Sequence, residues 1–159
     1  MFEENTLTTE EEALKFINKY GIVTLFPVRG LLFPSLYKAT RGNHQEKFEN
    51  AWKWADDLAY KKLIHYGKLV QGQVTLFSIE VFPYFYKLYR KSQLNETAQQ
   101  ILDYLKQHGP TSTTVLRKSL NLWEKNKKNE FVKAVDQLQR AIAVAIVNRE
   151  KPPKMTHIY

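Results

Sequence analysis

The chain has 159 residues, enough for one ordinary core or for two small units, and its 43% hydrophobic and 25% charged residues give a globular rather than a disordered balance. Cysteine is absent, which excludes disulfides, thiolate metal sites and cysteine nucleophiles and fits a reducing, cytoplasmic setting. The formal charge is +8, yet residues 1–14 carry five Glu and no Lys or Arg, so the remainder sums to +13, a basic body that suits polyanions such as DNA, RNA or anionic lipid, with solubility alone as the plainer reading.

The N-terminus (Met1, Phe2, Glu3, Glu4) is acidic and polar, unlike a secretory signal. No apolar run approaches the ~20 residues that span a bilayer, so no membrane partner is expected. A first helix starts at Thr8 or Thr9, with Glu11 or Glu12 closing a capping box. Ala13, Phe16, Ile17 and Tyr20 form its apolar stripe, and Gly21 suits its left-handed end. Ile22 to Phe26 is a short β-favouring run stopped by Pro27. Pro34 opens a short helix over Ser35 to Thr40, which Gly42-Asn43 breaks.

A longer helix is expected from Gln45 to Ile64, with Phe48, Ala51, Trp52, Ala55 and Ala59 on its main face and Trp54 and Leu58 beside or behind it. Lys68 to Ile79 reads as strand material with a bend or hairpin at Gly72. Phe82 to Arg90 forms a short, ring-dense helix with Pro83 in its first turn. Its rings either stack on nucleotides or, the reading we favour, cement the N-terminal unit to the C-terminal third. Residues 90–96 are polar and patternless, marking a junction between an N-terminal α+β unit (1–90) and a second domain (96–159).

In that second domain Ala98, Ile101, Leu102 and Leu105 make a helical stripe ended by Gly109-Pro110. Ser112 or Thr113 caps a shorter helix carrying Val115, Leu116 and Leu120. A basic loop, Glu124 to Lys128, leads into a third helix with Phe131, Ala134, Val135, Leu138 and Ala141. Ile142 to Val147 alternates like a strand, Asn148 to Lys154 is a turn, and Thr156 to Tyr159 returns as a second strand. Three helices and then a two-stranded ribbon is the winged-helix order. The expected fold is therefore α+β, mostly helical, with a C-terminal winged helix-turn-helix packed on an N-terminal helical unit with short strands. A helical hairpin whose ribbon serves packing or dimerisation is the plainer alternative.

Such a motif places its third helix in the major groove and its ribbon loop on the backbone. Lys125, Lys127, Lys128, Arg149, Lys151 and Lys154 are the candidate phosphate contacts. Asn129, Lys133, Gln137 and Arg140 are the candidate groove-facing residues. Glu130 and Asp136 share that helix and would oppose binding if they faced the groove.

Several stretches carry a resemblance. Gly21-Ile22-Val23, Pro27, Phe33-Pro34-Ser35-Leu36, Trp52 to Leu58 and Tyr66-Gly67-Lys68-Leu69 resemble the winged-helix DNA glycosylases that unhook interstrand crosslinks, as do Ile101 to Leu105, Gly109-Pro110, Leu116-Arg117 and Leu138-Gln139-Arg140. The resemblance implies winged-helix modules around a basic DNA channel, in enzymes much longer than this chain, which holds at most about two modules. It also implies a catalytic Gln with Gln or Asp two residues on, a spelling found at Gln71-Gly72-Gln73. On an ideal strand Gln71 and Gln73 share a face, with Glu80 the nearest carboxylate, and a water-activating role competes there with that of ordinary polar residues on a wet ribbon.

Asp56 and Asp57 diverge on a helix and suit ion pairs with Lys53 or Lys61 rather than catalysis. His44, His65, His108 and His157 lack metal-ligand spacing, and no phosphate-binding glycine loop exists, so no cofactor is expected. Three functions fit these residues: a DNA-binding winged-helix protein, non-catalytic or accessory to repair; a small glycosylase acting on alkylated or crosslinked bases; or a winged-helix module for protein partners or self-association. Double-stranded DNA is the expected partner of the first two.

Overall fold

The computed structural model describes residues 2–89 and 93–144, together with the backbone of 149–150 and 155–156. The chain divides into two compact units, Met1–Phe85 and Tyr86–Tyr159.

In the first unit, helix α1 (Glu10–Tyr20) begins at a full capping box: Glu12 N–H donates to Thr9 Oγ1 at 3.2 Å, and the Glu12 carboxylate accepts from the Thr9 N–H. Gly21 ends it with φ 73°, and a Cβ there would meet Val81 Cγ2 at 2.7 Å, so only glycine fits. Strand β1 (Ile22–Thr24) comes directly after. Helix α2 (Leu36–Ala39) is capped by Ser35, and α3 (His44–Tyr60) by Asn43 with Glu46 closing a second box. Asn43 thus starts a helix as well as breaking the preceding one.

Helix α3 stops four residues earlier than its apolar pattern suggests. Lys62 takes φ 58°, its N–H reaches Ala59 O, and Leu63 N–H reaches Leu58 O, both at 2.9 Å. This is a Schellman end with lysine where glycine is usual. It frees Ile64 to start strand β2 (Ile64–Val70), which turns at Gln71-Gly72 into β3 (Gln73–Ser78). Both turn residues have positive φ, 50° and 71°, as a two-residue hairpin of type I′ demands. The sheet is antiparallel, ordered β1-β3-β2, with Val23 opposite Leu76 and Tyr66 opposite Leu76 on the other side.

The buried face of α3 is Ala51, Trp54, Ala55, Leu58 and Ala59. This is rotated from the expected face: Phe48 and Trp52 leave the core and gather around Phe26, whose ring lies 5.6 and 5.9 Å from theirs. The core itself joins Phe16 and Ile17 of α1 to Val23, Leu25, Leu36, Trp54, Leu58, Leu76 and Phe77. Helix α4 (Phe82–Tyr89) starts against this sheet, with Phe82 stacked on His65 at 3.8 Å and Phe85 on Phe77 at 4.5 Å. Those two rings therefore serve the first unit's own sheet.

The second unit opens with α5 (Glu96–His108), capped by Asn95, and α6 (Thr113–Ser119), capped by Ser112. A short 3-10 helix (Lys125–Lys127) runs straight into α7 (Lys128–Arg140). Ala98, Ile101, Leu105, Leu116, Leu122, Phe131, Ala134, Val135 and Leu138 form one core. Val115, expected inside, is exposed; Leu116 alone of α6 is fully buried.

Strands β4 (Arg149–Glu150) and β5 (Met155–Thr156) pair antiparallel, Arg149 opposite Thr156. The strand expected over Ile142 to Val147 does not start there. Ile142 has φ 53°, with its N–H on Gln139 O and the Ala143 N–H on Leu138 O, so the residues after α7 complete another Schellman end. Residues 145–148 lie outside the described residues, and pairing begins at Arg149 within the stretch read as a turn.

Candidate nucleic-acid interface

Helix α7 is strongly two-sided. Phe131, Ala134, Val135, Leu138 and Gln139 are buried, while Lys128, Asn129, Val132, Lys133 and Arg140 are exposed. Among the described residues, Lys125, Lys128 and Lys133 make no ion pair, so their charges stand free in solvent. Lys127 Nζ donates to Asn121 O at 3.3 Å and helps tie down the loop before the helix.

Two candidate groove residues are already engaged. Gln137 donates from Nε2 to Gln93 O at 2.7 Å and accepts at Oε1 from Asn95 N–H at 3.0 Å. It clamps the entry to α5, so both of its amide atoms already have partners. Arg140 Nε lies 2.9 Å from Asp136 Oδ2, an i,i+4 pair. Asn95, Lys133, Asp136, Gln137 and Arg140 line one open hollow of about 350 Å³. The other acid on the helix, Glu130, accepts from Thr97 Oγ1 and so turns towards α5.

Arg149 is a β4 residue whose backbone alone is described, and Lys151 and Lys154, like His157, lie outside the described residues.

The turn between α6 and α7 holds residues that composition did not single out. Arg117 donates from Nε to Leu122 O at 3.1 Å and from Nη2 to Trp123 O at 3.0 Å. Its guanidinium also lies 5.0 Å from the Trp123 ring centroid and 5.9 Å from that of Phe131. Lys118 Nζ lies 5.2 Å from the same indole, which is 51% exposed. The available signal was local charge: residues 117–128 hold five Lys or Arg and one Glu.

In the first unit, Gln71 occupies the hairpin turn with φ 50°, and Gln73 is the first residue of β3; both are exposed. The positive φ at Gln71 removes the extended geometry that would set the two amides on one strand face. Glu80 lies beyond the far end of β3, ~20 Å away along a strand of this length. The strand therefore separates Glu80 from the two amides.

Asp56 and Asp57 take part in wider contacts, and Asp57 lies close enough to Lys61 to favour its charged form, after the larger effect of Glu10. Tyr66 Oη donates to Asp56 Oδ1 at 2.7 Å, and Lys61 pairs with Glu10 across the unit. His65 is half-buried under Phe82, and burial lowers its pKa. His44 sits on the Tyr37 ring, and His108 stacks on Tyr104 at 4.0 Å with Nδ1 2.9 Å from Tyr104 O. Among the described residues no group of His, Asp or Glu could hold a metal ion, and no helix is long and apolar enough to cross a membrane.

A family model described as AlkZ related matches residues 7–155, nearly the whole chain and both units. The chain belongs to the AlkZ-related family. No curated protein and no solved structure matches it. AlkZ is a crosslink-repair glycosylase, so AlkZ-related membership ties the chain to DNA-repair glycosylases and points to DNA as a substrate or partner.

Proposed function

We propose that this AlkZ-related protein binds double-stranded DNA through its second unit, a winged helix, and performs no base excision of its own, acting as an accessory relative of the repair glycosylases. The observation that carries the reading is the division of α7: its apolar face closes the core, while Lys128, Asn129 and Lys133 are presented to solvent, the two lysines with no ion-pair partner among the described residues. A duplex offers regularly spaced phosphates to such a face, and lysines that need not first break an ion pair gain the full benefit of neutralising them. The order α5, α6, α7 and ribbon supports a winged helix, with Arg149 on β4. The exposure of Gln71, Gln73 and Glu80, with Glu80 beyond the opposite end of β3 from the two amides, supports the non-catalytic part.

The test is a fluorescence-anisotropy titration of the full chain against labelled duplex. Binding is expected at low salt, fading steeply as salt rises, and Lys133→Glu is expected to weaken it about tenfold or more. No binding at low salt refutes the reading. Release of bases from alkylated or crosslinked duplex by the wild-type chain, lost in Gln73→Ala, would refute its non-catalytic half and install the glycosylase instead.

A further inference from the structure

We infer that the turn between α6 and α7 holds an unpaired nucleotide, Trp123 stacking on its base while Lys118 and the lysines at 125–128 neutralise the phosphates beside it. The inference rests on the DNA-binding reading above and specifies which feature of DNA the protein prefers.

The starting point is a ring in an unusual place. Of the described tryptophans, Trp54 is 5% exposed and closes the first unit's core, whereas Trp123 is 51% exposed. An indole left half in water forgoes much of the apolar burial it can supply, which asks for a partner. Its mounting is rigid. Leu122, the preceding residue, is buried in the core of the second unit. Asn121 has φ 55°, with its N–H on Lys118 O at 3.2 Å and the Leu122 N–H on Arg117 O at 2.7 Å, so α6 ends in a closed Schellman turn. Arg117 then holds the carbonyls of both Leu122 and Trp123. The indole itself lies against the Arg117 and Lys118 cations, 5.0 and 5.2 Å from its centroid, and a group mounted on fixed backbone loses less conformational freedom on stacking.

The surroundings select the chemistry of the occupant. Arg117, Lys118, Lys125, Lys127 and Lys128 stand against Glu124 alone within residues 117–128. Trp and Arg also mark the centres of protein interfaces, but a net charge of this sign around one exposed ring fits a polyanion that carries flat rings. Paired duplex does not offer ring faces, because each base is covered by its neighbours. An unpaired or unstacked base offers one, and an aromatic side chain stacks on it with little regard to sequence.

The experiment uses the full chain and three labelled ligands of equal length: a fully paired duplex, the same duplex with one bulged nucleotide, and its single strand. Wild-type protein is expected to prefer the bulged duplex over the paired one by about tenfold, the size of one base–aromatic stacking contact. Trp123→Ala should abolish that preference and leave affinity for the paired duplex within about twofold, while Trp123→Phe retains part of it. A 2-aminopurine placed at the bulge reports the contact directly, its fluorescence quenched by wild type and not by Trp123→Ala. Paired-duplex binding without preference for the bulge, or a preference that survives Trp123→Ala, overturns this inference and leaves the DNA-binding reading standing. Failure to bind any of the three at low salt overturns both.

Discussion

The slope of affinity against salt separates the free lysines of α7 from its paired arginine. Each phosphate neutralised in B-DNA contributes about 0.9 to the slope of log K against log salt concentration. Raising salt fourfold therefore costs about 3.5-fold in affinity per contact. Lys128 and Lys133 are exposed and have no ion-pair partner among the described residues, so each counts as one contact if it reaches phosphate. Replacing both with alanine should reduce the slope by about 1.8, so that the wild type loses about 12-fold more affinity than the double variant over the same fourfold rise. Arg140→Ala should lower the slope by less than either single lysine change, because its guanidinium is already held 2.9 Å from Asp136 Oδ2 and must give up or share that pair to serve a phosphate. Neither lysine side chain supports the core, so thermal melting should be unchanged. The assay is anisotropy with one labelled duplex at four or more salt concentrations. Equal slopes for wild type and the double variant would refute the assignment of α7 as the docking face, whatever the absolute affinity.

Lys62→Gly should stabilise the first unit. Relief of a left-handed residue is worth ~1–2 kcal/mol, offset by ~0.5–1 kcal/mol of added chain freedom in the unfolded state, leaving a gain of about 0.5–1 kcal/mol and a melting temperature higher by a few degrees. An unchanged or lower melting temperature would show that the lysine is not strained there. For His65, burial sets the folded pKa below that of the unfolded chain, so the stability it contributes is complete above the unfolded value and is lost as pH falls through the folded one. Melting curves should therefore show the first unit weakening as pH drops from neutral to mildly acid, and His65→Phe, which keeps a ring against Phe82, should flatten that dependence; an identical pH profile in the variant would contradict it.

Where helices begin was more legible in the sequence than where they end. Thr9 with Glu12, and Ser112, announce their caps through residue type and spacing alone. Gly21 and Gly109 announce two ends in the same way. Three other ends are silent, because the left-handed positions are filled by Lys62, Asn121 and Ile142. Tertiary packing holds Lys62 and Ile142 where local preference would not, so α3 reads four residues too long and the stretch after α7 reads as a strand too early. The rotated face of α3 has a related cause. Phe48 and Trp52 fit the helical period as well as Trp54 and Leu58 do, and only the position of Phe26, far away in sequence, decides which rings leave the core. In the candidate interface, Lys125, Lys128 and Lys133, chosen for their charge, are exposed, whereas Gln137 is consumed by Gln93 and Asn95, more than 40 positions earlier, a contact that no local pattern carries.

The folded arrangement makes α7 a more asymmetric surface than its composition suggests. From Lys128 to Arg140 the sequence holds three cations and two acids, a nearly balanced helix. Folding separates them. Glu130 is turned onto Thr97 of α5, and Asp136 is answered by Arg140 on its own helix. Lys128 and Lys133, with Lys125 just before the helix, are exposed without an ion-pair partner among the described residues, while Glu130, also exposed, is held by Thr97. An approaching polyanion meets unpaired lysines beside one carboxylate fixed by Thr97 and one paired with Arg140, and such local placement of charge acts most strongly at low salt, before screening weakens it. Thr97→Val would release the Glu130 carboxylate from α5 and return a mobile negative charge to the helix. If the asymmetry sets affinity, that neutral substitution should weaken duplex binding at low salt although it changes no charge, and the loss should shrink as salt rises; equal binding at every salt concentration would show that composition alone is what the duplex senses.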